Sequence, residues 1–129
     1  MRVWTFMLAV VLSMACLPAF AEWSLLDVSA DGDKWFIDFD TLRKGKTPRA
    51  WVMKSAPQVD KFGNMSSIAL QEADCAEWKT RVLALHGYTQ KFGEGASSFS
   101  INTPGEWVYP IPGSIFDYVL KTLCAKGNN

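Results

Sequence analysis

Residues 114–127 read Ser-Ile-Phe-Asp-Tyr-Val-Leu-Lys-Thr-Leu-Cys-Ala-Lys-Gly, and nothing before them in the chain has their period. Phe116, Val119, Leu120, Leu123 and Cys124 fall at i, i+3, i+4, i+7 and i+8, which is one face of an α-helix. Ser114 is a natural N-cap, and Asp117, three residues on, sits at the favourable end of the helix dipole. Gly127 reads as a terminator. Cys124 lies on the apolar stripe, so its sulfur is expected to face whatever that stripe packs on.

Upstream the period is two, in short runs cut by turn residues. Trp23 to Val28 reads as a first strand, ended by Ser29-Ala30-Asp31-Gly32-Asp33, whose Asp-Gly is a hairpin signal. Lys34 to Phe39 follows, with Trp35, Ile37 and Phe39 on one face. Arg43-Lys44-Gly45-Lys46-Thr47-Pro48 is a charged turn before a third strand, Arg49 to Lys54. Links this short join only antiparallel neighbours. Ser55 to Asn64 reads as a loop. Ser66 to Asp74 and Trp78 to Tyr88 are two more strands, and Ser98 to Ile101 a short sixth.

In the longest of these, Val82 and Ala84 fall on one parity and Leu83 and Leu85 on the other, which predicts a strand covered on both faces. Ser67, Ala69, Gln71 and Ala73 share the parity of Cys75 and are mostly small, leaving room for a helix above them. Pro104, Pro110 and Pro112 exclude helix from the next segment and predict an extended surface path. The expected fold is α+β: one antiparallel sheet of about six strands, with a C-terminal helix on one face.

The N-terminus predicts the compartment. Met1-Arg2 is a short positive region, Val3 to Cys16 an uncharged apolar run, and Ala19-Phe20-Ala21 a small-residue cleavage site. This is the layout of a secretory signal peptide, residues 1–21, leaving a mature domain of residues 22–129. The apolar run falls short of the roughly 20 residues a membrane span needs. Leu12-Ser13-Met14-Ala15-Cys16 faintly resembles a lipoprotein signal, so an acyl anchor at Cys16 is an alternative, and the only membrane attachment expected. Removing residues 1–21 from 129 leaves 108, with Cys75 and Cys124 as the remaining cysteines. In an oxidising compartment two cysteines allow one disulfide. It closes a loop of 49 positions, worth at most about 4 kcal/mol in the chain-entropy picture. There is no Cys-x-x-Cys spacing to suggest a redox pair. The bridge would staple the helix to the turn that holds Cys75.

Composition narrows the function. The chain has 13 Lys+Arg, 13 Asp+Glu and one His, with 49% hydrophobic residues. That is too apolar for disorder and lacks the basic excess of a nucleic-acid binder. His86 sits mid-strand without the partners that base or metal chemistry needs. No Gly-x-Ser-x-Gly elbow occurs, and Gly93-Glu94-Gly95 lacks the strand and helix of a nucleotide loop. Asp31, Asp33, Asp38 and Asp40 are explained by turn chemistry rather than by an EF-hand pattern. No catalytic residue, cofactor or metal is therefore expected. Among the tryptophans, Trp107 is the best candidate for exposure. With Tyr109 it makes a possible partner-binding pair in the Pro-rich segment.

The ordered set Trp23, Trp35-Phe36-Ile37-Asp38, Arg49-Ala50-Trp51-Val52, Ser67, Asp74-Cys75, Pro104-Gly105-Glu106-Trp107, Pro110, Pro112-Gly113-Ser114 and Cys124 resembles the surface-adhesin protein E-like family of small exported bacterial domains. The resemblance spans Trp23 to Cys124. It implies a sheet of about six strands whose C-terminal helix is tethered by Cys75–Cys124. It also implies an adhesin-like, non-enzymatic binding domain of the bacterial cell envelope, in the periplasm or on the surface. The partner, an envelope or host protein, and the oligomeric state are not named by the sequence. The alternative is a periplasmic small-molecule binder or an enzyme whose site assembles from distant residues.

Overall fold

The computed structural model describes residues 22–128. The expected signal segment and Cys16 lie outside them. Six strands form one sheet in chain order, every neighbouring pair antiparallel: β1 (Ser24–Val28), β2 (Lys34–Arg43), β3 (Arg49–Ser55), β4 (Ser66–Asp74), β5 (Lys79–Tyr88) and β6 (Ser97–Ile101). One helix, α1 (Ile115–Gly127), lies on one face. A single 3-10 turn, Lys91–Gly93, lies on the other. Among the described residues no helix is long and apolar enough to cross a membrane.

The core forms where the helical stripe meets alternate positions of the sheet. Val119, Leu120 and Leu123 pack on Ile37, Ala50, Val52 and Ala73, all nearly inaccessible. Ala69, Gln71 and Ala73 of β4 are buried, as the parity of Cys75 requires for a helix lying over that face. The Cys75–Cys124 disulfide is formed, with Cα atoms 5.7 Å apart. Ser114 caps the helix, its hydroxyl accepting from the Asp117 N–H at 3.3 Å. On the opposite face Phe36, Met53 and Ile68 lie beneath the 3-10 turn. Phe92 of that turn meets Phe36 edge-on, with ring centres 5.9 Å apart. Ser55 and Ser66 hold the turn down by accepting from the N–H groups of Phe92 and Gly93.

Four details differ from the sequence reading. Gly127 is the last helical residue rather than a stop beyond it. It is buried, and a Cβ there would stand 2.6 Å from Pro48 Cβ, so glycine serves close approach, not termination. The mixed parity of β5 has a local cause. Leu70 pairs with Ala84 but Gln71 with Val82, leaving Leu83 as the extra residue of a bulge. A bulge reverses which face the following side chains occupy, so Val82 and Leu85 both face the helix side. β2 runs on to Arg43 through a further irregularity, where Thr41 Oγ1 in place of a ladder carbonyl accepts the Trp51 N–H. Finally, β5 starts at Lys79. Trp78 has φ +54° and belongs to the turn.

Candidate binding groove

The segment after β6 shapes an apolar concavity. Its first half continues the sheet. The Gly105 N–H donates to the Val82 carbonyl at 2.8 Å, and Val108 and Thr80 exchange backbone hydrogen bonds of 2.8 and 2.9 Å. Pro110 and Pro112 bring no N–H, so the pairing stops there. Gly113, at φ +81°, swings the chain into Ser114 and the helix. The result is a groove of about 330 Å³ between this segment and the start of α1, with Gln71, Thr80 and Val82 as floor and Tyr109, Ile111 and Phe116 as walls. The floor is closed by the Thr80 hydroxyl, which donates to the Glu72 carbonyl at 2.8 Å.

The rim is exposed to an unusual degree for apolar side chains: Val108 59%, Tyr109 66% and Ile111 77%. A contiguous exposed apolar strip is the signature of a contact site rather than of packing. Phe116, on the predicted core stripe, is instead 42% exposed, and it meets Trp35 edge-on with ring centres 5.9 Å apart.

The wall is held by Asp117, which is 4% exposed. Its carboxylate accepts from the Gly113 N–H at 3.0 Å and from the Trp78 indole N–H at 3.1 Å, and pairs with Lys121 at 3.2 Å. The Gly113 N–H first, then the Trp78 indole and Lys121, hold this carboxyl below the ordinary carboxylate range, against the opposing pull of burial. Asp117 therefore ties the turn before the helix to the β4–β5 hairpin. Only its dipole role was readable in the sequence. Trp78 is 39 positions away, and no periodicity links the two.

The two partner-binding candidates separate. Tyr109 stands on the groove rim. Trp107 points to the other face of the sheet, half-buried, with the Arg81 guanidinium 4.5 Å and Lys79 Nζ 5.4 Å from its ring centre. His86 also lies on that face, its Nδ1 2.9 Å from Ser100 Oγ and its ring 5.9 Å from that of Trp51. The first-hairpin aspartates are dispersed. Asp33 pairs with Lys54 at 3.4 Å, and buried Asp38 accepts the Asp40 N–H. Among the described residues no three His, Cys, Asp or Glu side chains converge as a metal site would require.

Fold and site together define a small disulfide-stapled domain: an antiparallel meander, one docked helix, and an exposed apolar groove beside the helix start. The chain belongs to the surface-adhesin protein E family, which it matches over residues 23–125, a family of adhesin-like surface proteins. Solved structures of Haemophilus influenzae protein E share the fold. Its crystal form II superposes with a TM-score of 0.58 at 12% identity, covering 79% of this chain and 93% of that one. The selenomethionine form gives 0.61 at 11%, covering 78% and 85%. A third structure gives 0.59 at 11%, covering 84% and 88%. At such identities the likeness is one of fold. No curated protein sequence matches the chain.

Proposed function

We propose that residues 22–129, released by removal of residues 1–21, form an exported binding domain of the bacterial envelope that works by contact with a protein partner and not by catalysis. The observation that carries this reading is the Val108–Tyr109–Ile111 strip, exposed on a frame braced by a disulfide and by Asp117. Aromatic and aliphatic anchors around a rigid concavity are where interfaces concentrate their energy. Family membership supports the surface setting.

The test is capture of envelope and host-matrix proteins by the immobilised domain. The Tyr109→Ser/Ile111→Ser variant should lose the partner that the unmodified domain retains, with its thermal midpoint unchanged. Equal capture by both would refute the groove as the contact. Trp107→Ala places the second candidate: lost capture with folding intact would move the contact to the opposite face.

A groove of about 330 Å³ also matches the lower end of small-ligand sites, which favours a small apolar molecule as the second reading. Native mass spectrometry of the domain isolated from the periplasm separates the two, since a bound small molecule adds a discrete mass. The same spectrum fixes the mature N-terminus, expected at Glu22, with an acylated Cys16 as the competing outcome. Protease shaving of intact cells distinguishes surface from periplasm.

A further inference from the structure

The β2–β3 turn concentrates positive charge on a chain that is neutral as a whole. Arg43 ends β2, Arg49 opens β3, and Lys44 and Lys46 lie between them. In the register Arg43 stands directly opposite Arg49. Like charges facing each other across antiparallel strands oppose pairing. The row continues, since Arg49 faces Glu72 and Glu72 faces Arg81. Four adjacent strands thus present Arg, Arg, Glu and Arg on the face away from the helix.

The single carboxylate of that row is committed to Arg81, at 2.7 Å. Asp74, on the same face of β4, accepts the Glu77 N–H. Among the described residues no carboxylate lies within ion-pair distance of Arg43, Lys44, Lys46 or Arg49. These four, with Thr47 and Glu72, surround a hollow of about 260 Å³. Beyond Arg81 the face continues into the ring of Trp107.

We infer that this face binds a linear polyanion: a glycan carrying sulfate or phosphate groups, with Arg43 and Arg49 as the central contacts. Guanidinium forks pair with such oxyanions through two hydrogen bonds at once, and an anion between the two arginines removes their mutual repulsion. Strands lie about 4.8 Å apart, so the row from Arg43 to Arg81 spans about 14 Å. One phosphate cannot reach across it, whereas successive groups along a chain can. A membrane surface fits less well. Docking there combines cations with apolar side chains that enter the lipid, and the tip of this turn offers only Lys44, Gly45, Lys46 and Thr47.

The test uses the mature domain, with heparin as the sulfated glycan, at physiological ionic strength. Retention of the unmodified domain is expected. Arg43→Gln/Arg49→Gln should weaken binding at least tenfold and flatten the dependence of log affinity on log salt by roughly two, one per cation removed. Lys61→Gln/Lys126→Gln, with the same loss of charge away from the row, should change retention little. The arginine variant should keep its thermal midpoint, because its parent residues repel. Should it fail to fold, exposed Arg43→Gln alone carries the comparison. No retention of the unmodified domain, or equal weakening by both double variants, overturns the inference. So does elution by inorganic phosphate at matched charge, which would mark a single-anion pocket. Binding to phosphatidylglycerol vesicles in place of heparin would overturn it in favour of a membrane.

Discussion

Asp117 shows how one side chain is read in part from sequence and completed by the fold. Its place three residues after Ser114 is a capping pattern, but its partners Gly113, Trp78 and Lys121 make it the brace of the groove wall. Its native carboxyl titrates below the ordinary value. Its contribution is therefore complete above the unfolded pKa, near 3.9, and fades as the pH falls through the lower native value. Acid unfolding should show this directly. Asp117→Asn should lower the thermal midpoint at neutral pH, and the gap to the unmodified domain should close as the pH falls below about 4. A gap that stays constant with pH would remove the charge from the explanation. Gly127 is the second instructive residue. Alanine in a helix normally gains about 1 kcal/mol over glycine. Here its Cβ would press on Pro48 Cβ at 2.6 Å, a rigid ring that cannot rotate away. Overpacking of this kind costs about 1–3 kcal/mol, so Gly127→Ala should lower stability in urea unfolding despite its better propensity.

At the scale of elements, the hairpin between β4 and β5 is where the helix is fixed. It holds Cys75 for the C-terminal end of α1 and Trp78 for the N-terminal end. Cys75→Ser/Cys124→Ser should lose up to about 4 kcal/mol, read as a lower urea midpoint. That loss should match the loss seen on reducing the unmodified domain. If the two losses differ, packing around the serines rather than the crosslink decides stability. Most element positions were legible, because Gly, Pro and Asp punctuate the apolar runs. β4 and α1 fall on or within a residue of their expected bounds. What was not legible is the bulge at Leu83. A strand covered on both faces and a strand that switches faces midway have the same apolar pattern, and only the pairing with β4 tells them apart.

Across the whole molecule the sheet divides two surfaces of different chemistry. The helix side presents the apolar groove, and the other side presents the arginine row with Trp107. Binding at the groove should therefore be insensitive to salt, and binding at the row steeply dependent on it. A titration of each interaction against ionic strength checks this, and equal salt slopes would merge the two sites into one. The amino-acid sequence alone determined the antiparallel meander of the first three strands, the positions of the later strands, the helix and its cysteine partner. These rest on local period, on short links and on a count of cysteines that left one pairing. Only the tertiary structure decided which side chains share a surface. It parted Trp107 from Tyr109, set Arg43 against Arg49, and brought Trp78 to Asp117. Such neighbours are fixed by inter-strand register and by bulges. One inserted residue in a strand exchanges the two faces without altering the hydrophobic pattern that a reader of the sequence can see.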